Sequence, residues 1–204
     1  MGLFGRSEKS VTSGSFDVLV VGLGNPGKQY ARSRHNVGEE VVVELARRHG
    51  GELRPGRDSA MVDDVRIGDK RVVLAFPLTF MNESGQAVRK VMRRFGFKDA
   101  SALIVVQDEL DLPPGAVKIK KDGGLGGHNG LKSISAHVGT HDYIRVRIGI
   151  GKPGNKEQGA NHVLSKVPAA ERQDLDRAVQ VAADAVEAIL AHGLSPAMNS
   201  FNAK

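Results

Sequence analysis

Two short, wholly apolar runs most constrain the fold of this chain. Residues 18–21 (VLVV) are followed at once by glycine, and residues 102–106 (ALIVV) lead into the polar residues 107–109. Continuous apolar runs of this length are typical of strands that are buried on both faces of a sheet. Open α/β sheets bind their ligands at the ends of such strands. The sequence therefore predicts two central strands, the second of which ends in candidate functional residues.

Helical and alternating patterns surround these two runs. Apolar side chains at helical spacing predict helices over residues 37–50, 88–95, 131–138 and 168–189. Further β-prone or alternating runs predict strands over residues 61–67, 71–76, 117–120 and 144–148. The last two of these strands each have one apolar and one basic face. Because 204 residues suit one core, we expect a single compact α/β domain with a twisted mixed β-sheet surrounded by helices.

The composition and the amino-terminal segment exclude several classes of protein. Residues 1–15 are rich in Gly and Ser and lack apolar periodicity, so we expect a disordered extension before a domain of residues 16–204. The absence of Cys excludes disulfides, thiolate zinc sites and cysteine nucleophiles. Neither a secretory signal nor a membrane-spanning run is recognisable, which favours a cytoplasmic protein. The net charge of +6 is weak evidence for a polyanionic partner.

The motif GLGNPG at residues 22–27 matches the dinucleotide-binding fingerprint and follows a predicted strand. That fingerprint opens a helix, however, and residues 28–36 show no apolar periodicity. No acidic residue ends a second strand about 20 positions further on. A tight turn that directs Asn25 into a cleft is therefore favoured. An NAD-dependent oxidoreductase stays as an alternative, which titration with a nicotinamide cofactor would test.

Two polar residues form a candidate catalytic pair. His35 lies in a polar loop, where a histidine is more often a surface residue than a catalyst. The alternative interpretation of Asp108 is that it is merely a helix cap or a turn former. A histidine that acts on water needs a carboxylate to fix its tautomer, and Asp108 supplies one. Asn82 either caps the following helix or belongs to the site. The glycine-rich residues 123–130 are either a flexible linker or a segment that approaches a ligand.

Five blocks of the sequence, taken together and in this order, resemble those of bacterial peptidyl-tRNA hydrolases. They are GLGNPG with Tyr30 and His35-Asn36 after it, FMNESG, QDELDLPPG, GGLGGHNGLKS and RVRIGIGKP. The resemblance covers residues 17–204. It implies a monomeric α/β enzyme, without metal or cofactor, that hydrolyses the ester between a peptide and tRNA and so recycles tRNA from stalled ribosomes. A non-catalytic RNA-binding module of the same fold is the alternative.

The resemblance also implies roles for particular residues. His35 would be the catalytic base and Asp108 its orienter, with Asn25 and Asn82 as asparagines of the cleft. The substrate-binding residues would be Tyr30, Phe80, Met81, Asn82 and Asn129, and the tRNA-binding residues would be Lys118, Lys120, Arg147 and Lys156. No metal ligand is implied, and Gln107 is a departure because it stands where some members have His.

Overall fold

One mixed sheet organises the chain, for which the computed structural model describes residues 15–155 and 158–203. The strand order is β2-β3-β4-β1-β5-β7-β6. The four strands in the middle, β4, β1, β5 and β7, are parallel, while β2, β3 and β6 run antiparallel to their neighbours. The bounds are β1 Val18–Gly22, β2 Arg54–Pro55, β3 Ala60–Ile67, β4 Lys70–Pro77, β5 Leu103–Glu109, β6 Val117–Lys121 and β7 Ile144–Gly149.

Helices cover both faces of this sheet and bury two apolar clusters. Side chains of α1, α5 and α6 pack against one face, and side chains of α2 and α3 pack against the other. The expected single α/β domain with a mixed sheet is confirmed, whereas β2, α4 and α6 were not predicted. The bounds are α1 Val37–Arg48, α2 Ser84–Phe95, α3 Asn129–Val138, α4 Gly159–Leu164, α5 Ala169–His192 and α6 Leu194–Asn202.

Two glycines fix the point at which α1 meets the sheet. A Cβ on Gly38 would collide with the carbonyl of Val106 in β5 and with the backbone of Leu23. A Cβ on Gly22, at the end of β1, would collide in turn with the carbonyl of Gly38. Only glycine allows backbone segments to approach this closely. The start of α1, and with it the residues immediately before the helix, is therefore held against the ends of β1 and β5.

The exposed edge of β6 is covered by a side chain of the last helix. The backbone N–H of Ile119 donates to Oδ1 of Asn202 at 2.7 Å, and Nδ2 of Asn202 donates to the carbonyl of Ile119 at 2.8 Å. The carboxamide thus makes the two hydrogen bonds that a neighbouring strand would make. In addition, Nζ of Lys118 donates to the backbone carbonyl of Asn202 at 2.6 Å.

Phe16 is the first residue in the described part of the chain whose side chain packs against the fold. Its ring packs edge-to-face on Phe95, with 5.1 Å between the ring centroids, and the guanidinium of Arg71 lies 4.3 Å above it. The expected extension over residues 1–15 lies outside the described residues except for Ser15, which is exposed.

Candidate active site

The carboxyl ends of the parallel strands bring four distant segments together. Asn25 follows β1, Met81 follows β4, and Asp108 is the penultimate residue of β5. His35 lies in a single turn of 3-10 helix, Arg34–Asn36, directly before α1. Because β1 pairs with both β4 and β5, these strand ends are adjacent. This edge is where open α/β sheets bind their ligands.

The imidazole of His35 faces the carboxylate of Asp108. Its Nδ1 lies 2.9 Å from Oδ1 and 3.0 Å from Oδ2 of that carboxylate. An ionised carboxylate can only accept, so Nδ1 carries the proton and donates, and the neutral ring keeps its lone pair on Nε2. The side chains of His35 and Asp108 are 12% and 2% exposed. A general base needs this fixed tautomer and this free nitrogen.

Asp108 stays ionised although it is buried. Burial by itself raises the pKa of this carboxyl, but the charge interactions and hydrogen bonds with His35 and His128 outweigh burial. The net result is a pKa well below the ordinary value for Asp. At neutral pH the group is therefore a carboxylate, and it can stabilise the imidazolium that forms when His35 takes up a proton.

A second imidazole, that of His128, binds the same carboxylate. Nε2 of His128 lies 3.0 Å from Oδ1 of Asp108, and its Nδ1 accepts the backbone N–H of Gly130 at 3.2 Å as the N-cap of α3. Since Nδ1 accepts, the proton must be on Nε2, which donates to Asp108. Asp108 thus accepts from two imidazoles, both of which contact Oδ1.

Sequence reasoning did not assign a role to His128. The residue was visible within the block GGHNG, but the preferred N-cap residues are Ser, Thr, Asp and Asn, so nothing marked a histidine as the cap. The signal that could have found it is its place between a run of glycines and the first turn of α3. A polar residue there must face either the helix end or the cleft, and His128 contacts both.

His35, Asp108 and His128 are also close enough to hold a metal ion, since one ligand atom from each lies within 4.8 Å of the others. Hydrogen bonds already account for this geometry, however. His128 accepts the N–H of Gly130 on Nδ1, so it could bind a metal through Nε2 only as an imidazolate or by losing its cap. The donor set is therefore better suited to relaying hydrogen bonds than to ligating a metal.

Asn25 is held in the cleft by two neighbours. Its Oδ1 accepts the backbone N–H of Met81 at 2.8 Å, which leaves Nδ2 as the available donor. The buried side chain of Asn36 brackets the backbone of Asn25, accepting its N–H at 2.9 Å and donating to its carbonyl at 2.8 Å. Asn36 is therefore an anchor of this turn, a role that sequence reasoning missed although the residue lay beside His35.

The other two candidate asparagines are exposed. Asn82 follows Met81 in a turn of 3-10 helix, and Asn129 follows His128 as the first residue of α3. In the described part of the chain, neither side chain has a hydrogen-bond partner. The alternative that Asn82 caps α2 is wrong, because Glu83 occupies the cap position of that helix and makes no side-chain cap. Both amides are thus available to a ligand.

The three candidate cleft-lining residues differ in exposure. Phe80 is 54% exposed, whereas Met81 is only 5% exposed and packs in the core between the sheet and the helices α2 and α3. Tyr30 is half-buried. Phe80 and Tyr30 can therefore offer apolar surface to a ligand, and Met81 chiefly supports the backbone that contacts Asn25.

The candidate tRNA-binding residues lie on β6 and β7. Lys118 and Lys120 are half-buried and share one face of β6, as the alternation predicts. Arg147 is directly opposite Lys118 in the neighbouring strand, and its Nη1 lies 3.7 Å from the carboxylate of Glu109. The fourth candidate, Lys156, lies outside the described residues. On the same face of β7, Arg145 is only 2% exposed, so this part of the basic face is not a solvated surface.

The segment after β1 does not form a dinucleotide site. The glycines of residues 22–27 are followed by turns and by the 3-10 helix, and α1 begins only at Val37. The fingerprint requires a helix whose amino terminus meets the pyrophosphate directly after the glycines, and here that helix is absent from residues 28–36. The glycines instead form a tight turn that presents Asn25.

A sequence model of the family described as peptidyl-tRNA hydrolase matches residues 19–204. The chain belongs to this family. Among curated peptidyl-tRNA hydrolases, that of Frankia alni is 49% identical over 91% of this chain and 93% of its own length. That of Cutibacterium acnes is 47% identical over 90% of this chain and 97% of its own length.

Solved structures of the family share the fold. The crystal structure of the peptidyl-tRNA hydrolase from Acinetobacter baumannii is 38% identical, with a TM-score of 0.86 over 94% of this chain and 97% of that chain. A structure of a peptidyl-tRNA hydrolase in complex with N-propanol is 39% identical, also with a TM-score of 0.86. The family and fold class that the five sequence blocks indicated are thereby confirmed.

Proposed function

We propose that this protein hydrolyses the ester bond between tRNA and a peptide or N-blocked amino acid, using a water molecule that His35 activates. The observation that carries this proposal is the hydrogen bond from Nδ1 of His35 to Asp108, which leaves Nε2 free at the ligand-binding edge of the sheet. Membership of the peptidyl-tRNA hydrolase family supports the same reaction.

The reaction needs no covalent nucleophile. Nε2 of His35 takes a proton from water while the water oxygen bonds to the carbonyl carbon of the ester. The resulting oxyanion accepts hydrogen bonds from side-chain amides, for which Asn25, Asn82 and Asn129 are the candidates. The intermediate then breaks the bond to the ribose oxygen, and the imidazolium of His35 returns its proton to that oxygen. Asp108 stabilises the imidazolium throughout.

The same asparagines explain how free aminoacyl-tRNA is spared. A peptidyl or N-acetyl group presents a neutral amide, whereas a free aminoacyl group presents a charged amine at the same position. Side-chain amides such as those of Asn82 and Asn129, which have no partner within the described residues, can bind a peptide backbone. A charged amine leaves such groups unpaired or poorly solvated, and this mismatch lowers kcat/KM for the free substrate.

The basic side chains of β6 and β7 suit the phosphates of tRNA. Lys118 and Lys120 share one face of the sheet with Arg147, and we assign these three residues and Lys156 to phosphate binding. Phosphate contacts of this kind position the substrate and contribute affinity without sequence preference. The substrate is released by stalled ribosomes, so we place the enzyme in the cytoplasm, where it would act as a monomer.

None of the helices in the described ranges has both the length and the apolar character required to cross a membrane.

The decisive experiment offers the protein N-acetyl-aminoacyl-tRNA and free aminoacyl-tRNA side by side. The wild-type protein should release the blocked amino acid selectively. His35→Ala should lose about two to four orders of magnitude in kcat, whereas the matched control His192→Ala, on the exposed last turn of α5, should behave as the wild type. Binding of tRNA without any release would instead identify a non-catalytic RNA-binding module.

A further inference from the structure

Arg145, the second residue of β7, is a buried cation. Its side chain is 2% exposed, and within the described ranges it forms no ion pair. Three consecutive backbone carbonyls receive its guanidinium: Nη1 donates to Gly124 at 2.9 Å, and Nη2 donates to Gly123 at 3.1 Å and to Asp122. Burial lowers the pKa of Arg145, but an arginine remains charged at neutral pH.

Burying a cation without a carboxylate partner is costly, and an apolar side chain of similar length would usually pack better. Arg145 therefore requires an explanation beyond packing. The five N–H donors of a guanidinium lie in one rigid plane, so they can fix several acceptors relative to one another. A lysine carries the same charge on a single nitrogen and cannot hold three carbonyls in this way.

The three carbonyls belong to the loop that joins β6 to α3. Asp122 has a φ of 64°, and Gly126 and Gly127 have φ angles of 58° and 75°. A loop with this many residues in the left-handed region forms no regular backbone ladder and needs donors from outside to hold its shape. Arg145 supplies those donors at the start of the loop.

The far end of the same loop carries the active-site residues His128 and Asn129. Nε2 of His128 must reach Oδ1 of Asp108 at 3.0 Å, and Asn129 must face the substrate. Apart from Arg145, no described residue donates a hydrogen bond to the carbonyls of residues 122–124. Arg145 therefore holds the carbonyls at the start of the loop and His128 holds its end, while Leu125 between them packs against the core.

We propose that Arg145 is a positioning residue of the active site, whose buried guanidinium holds the glycine-rich loop so that His128 and Asn129 meet Asp108 and the substrate. This inference rests on the proposed function, and it gives Arg145 a role different from that of Lys118, Lys120 and Arg147. Those neighbours would bind phosphate, whereas Arg145 acts through the loop and does not touch the tRNA.

The test compares Arg145→Lys and Arg145→Met with the wild-type enzyme. Both variants should lose about 10- to 100-fold in kcat on N-acetyl-aminoacyl-tRNA, because a displaced loop misaligns reacting groups. Their affinity for deacylated tRNA should stay within about threefold, because phosphate contacts lie elsewhere. Arg48→Met is the matched control: it removes a partly buried guanidinium that binds Glu44 and the helix α5, and it should leave kcat unchanged.

Two further readouts separate positioning from a general loss of structure. The loss of kcat caused by Arg145→Lys should be smaller in a His128→Ala background, because the loop then no longer positions the imidazole of His128. In hydrogen exchange, the amide of Gly130, which donates to His128, should lose protection in Arg145→Lys while amides of β1 keep theirs. This measurement needs no activity, so it tests Arg145 even if the wild-type protein fails to cleave the ester.

The proposal is overturned by a wild-type kcat in Arg145→Lys, or by unchanged protection of the Gly130 amide. It is equally overturned if tRNA affinity falls while kcat does not, which would make Arg145 a phosphate ligand. Should Arg145→Met fail to fold, Arg145→Lys decides alone, because it retains the buried charge.

Discussion

Replacing Asp108 by Asn tests the proposed catalytic pair most sharply. Oδ1 of Asp108 accepts from both His35 and His128, while Oδ2 contacts His35 alone. The carboxamide of asparagine has only one oxygen. This oxygen is best placed to accept hydrogen bonds from both imidazoles when it takes the position of Oδ1. The NH2 group then lies about 3.0 Å from Nδ1 of His35, so two donors face each other. The conflict favours the tautomer with the proton on Nε2, which removes the lone pair that the mechanism requires.

The expected loss follows from this geometry. Asp108→Asn removes both the correct tautomer and the charge that stabilises the imidazolium, so kcat should fall by about two to four orders of magnitude, as for loss of a positioned base. That corresponds to about 2.7–5.4 kcal/mol of transition-state stabilisation. The assay is single-turnover release from N-acetyl-aminoacyl-tRNA, together with His35→Ala and the double variant.

If the two residues act as a unit, the double variant should be little worse than His35→Ala, since an orienter has nothing left to orient. Full additivity of the two losses in log kcat would refute the pairing and make Asp108 a structural residue. A fall in tRNA affinity as large as the fall in kcat would also contradict the reasoning, because Lys118, Lys120 and Arg147, which we propose bind phosphate, lie on β6 and β7.

The pH dependence of stability supplies an independent check on Asp108. Its pKa is lowered in the folded protein, so the carboxylate contributes stability that is fully present above the unfolded value of about 3.9 and is lost as the pH falls through the lower folded value. Asp108→Asn lacks this contribution. The difference in unfolding free energy between wild type and variant should therefore shrink below about pH 4, and a constant difference down to pH 2 would contradict the lowered pKa.

Three further predictions concern binding and domain limits. Replacing both Lys118 and Lys120 by Ala should lower the slope of log affinity against log salt by about 1.4 to 1.8; an unchanged slope in a tRNA titration would make them a solvated face. Asn82→Asp and Asn129→Asp should each lower kcat/KM by about a hundredfold or more, because a carboxylate repels the carbonyl that an amide binds, and wild-type kinetics in both would assign them to loop structure. Removing residues 1–15 should leave the melting temperature and turnover nearly unchanged, and a large fall in either would show that the segment supports the fold.

The central strands and their polar ends could be predicted because a strand that is buried on both faces requires a continuous apolar run, which is visible in the sequence. The apolar residues 18–21 and 102–106 became β1 and β5, and the pair of His35 and Asp108 lies where β5 ends. The pairing of His35 with Asp108 followed from the need of an imidazole for a carboxylate. These predictions rested on two requirements, a continuous apolar run for a buried strand and a carboxylate for the imidazole, that few other residues could meet.

Other parts of the structure could not be predicted from a comparable sequence pattern. The alternation of β7 placed Arg145 on the correct face, but periodicity gives the face of a strand and not its exposure, and the loop after β6 covers that face. α4 has only six residues. α6 has apolar residues at helical spacing, Leu194, Ala197, Met198 and Phe201, but it is short and carries Pro196 in its first turn. Asn36 acts through hydrogen bonds to the backbone of Asn25, and His128 through a hydrogen bond to the carboxylate of Asp108, and no local pattern encodes either contact.

The carboxamide of Asn202 has a practical consequence for handling this protein. It occupies the free edge of β6, and an unoccupied edge strand is a template for joining another chain. A chain that ended before Asn202, or a rigid fusion that pulled α6 away, would uncover that edge and invite edge-to-edge self-association. Purification tags therefore belong at the other terminus. A turbidity rise on removal of the last residues would report directly on the shielding that one side chain provides.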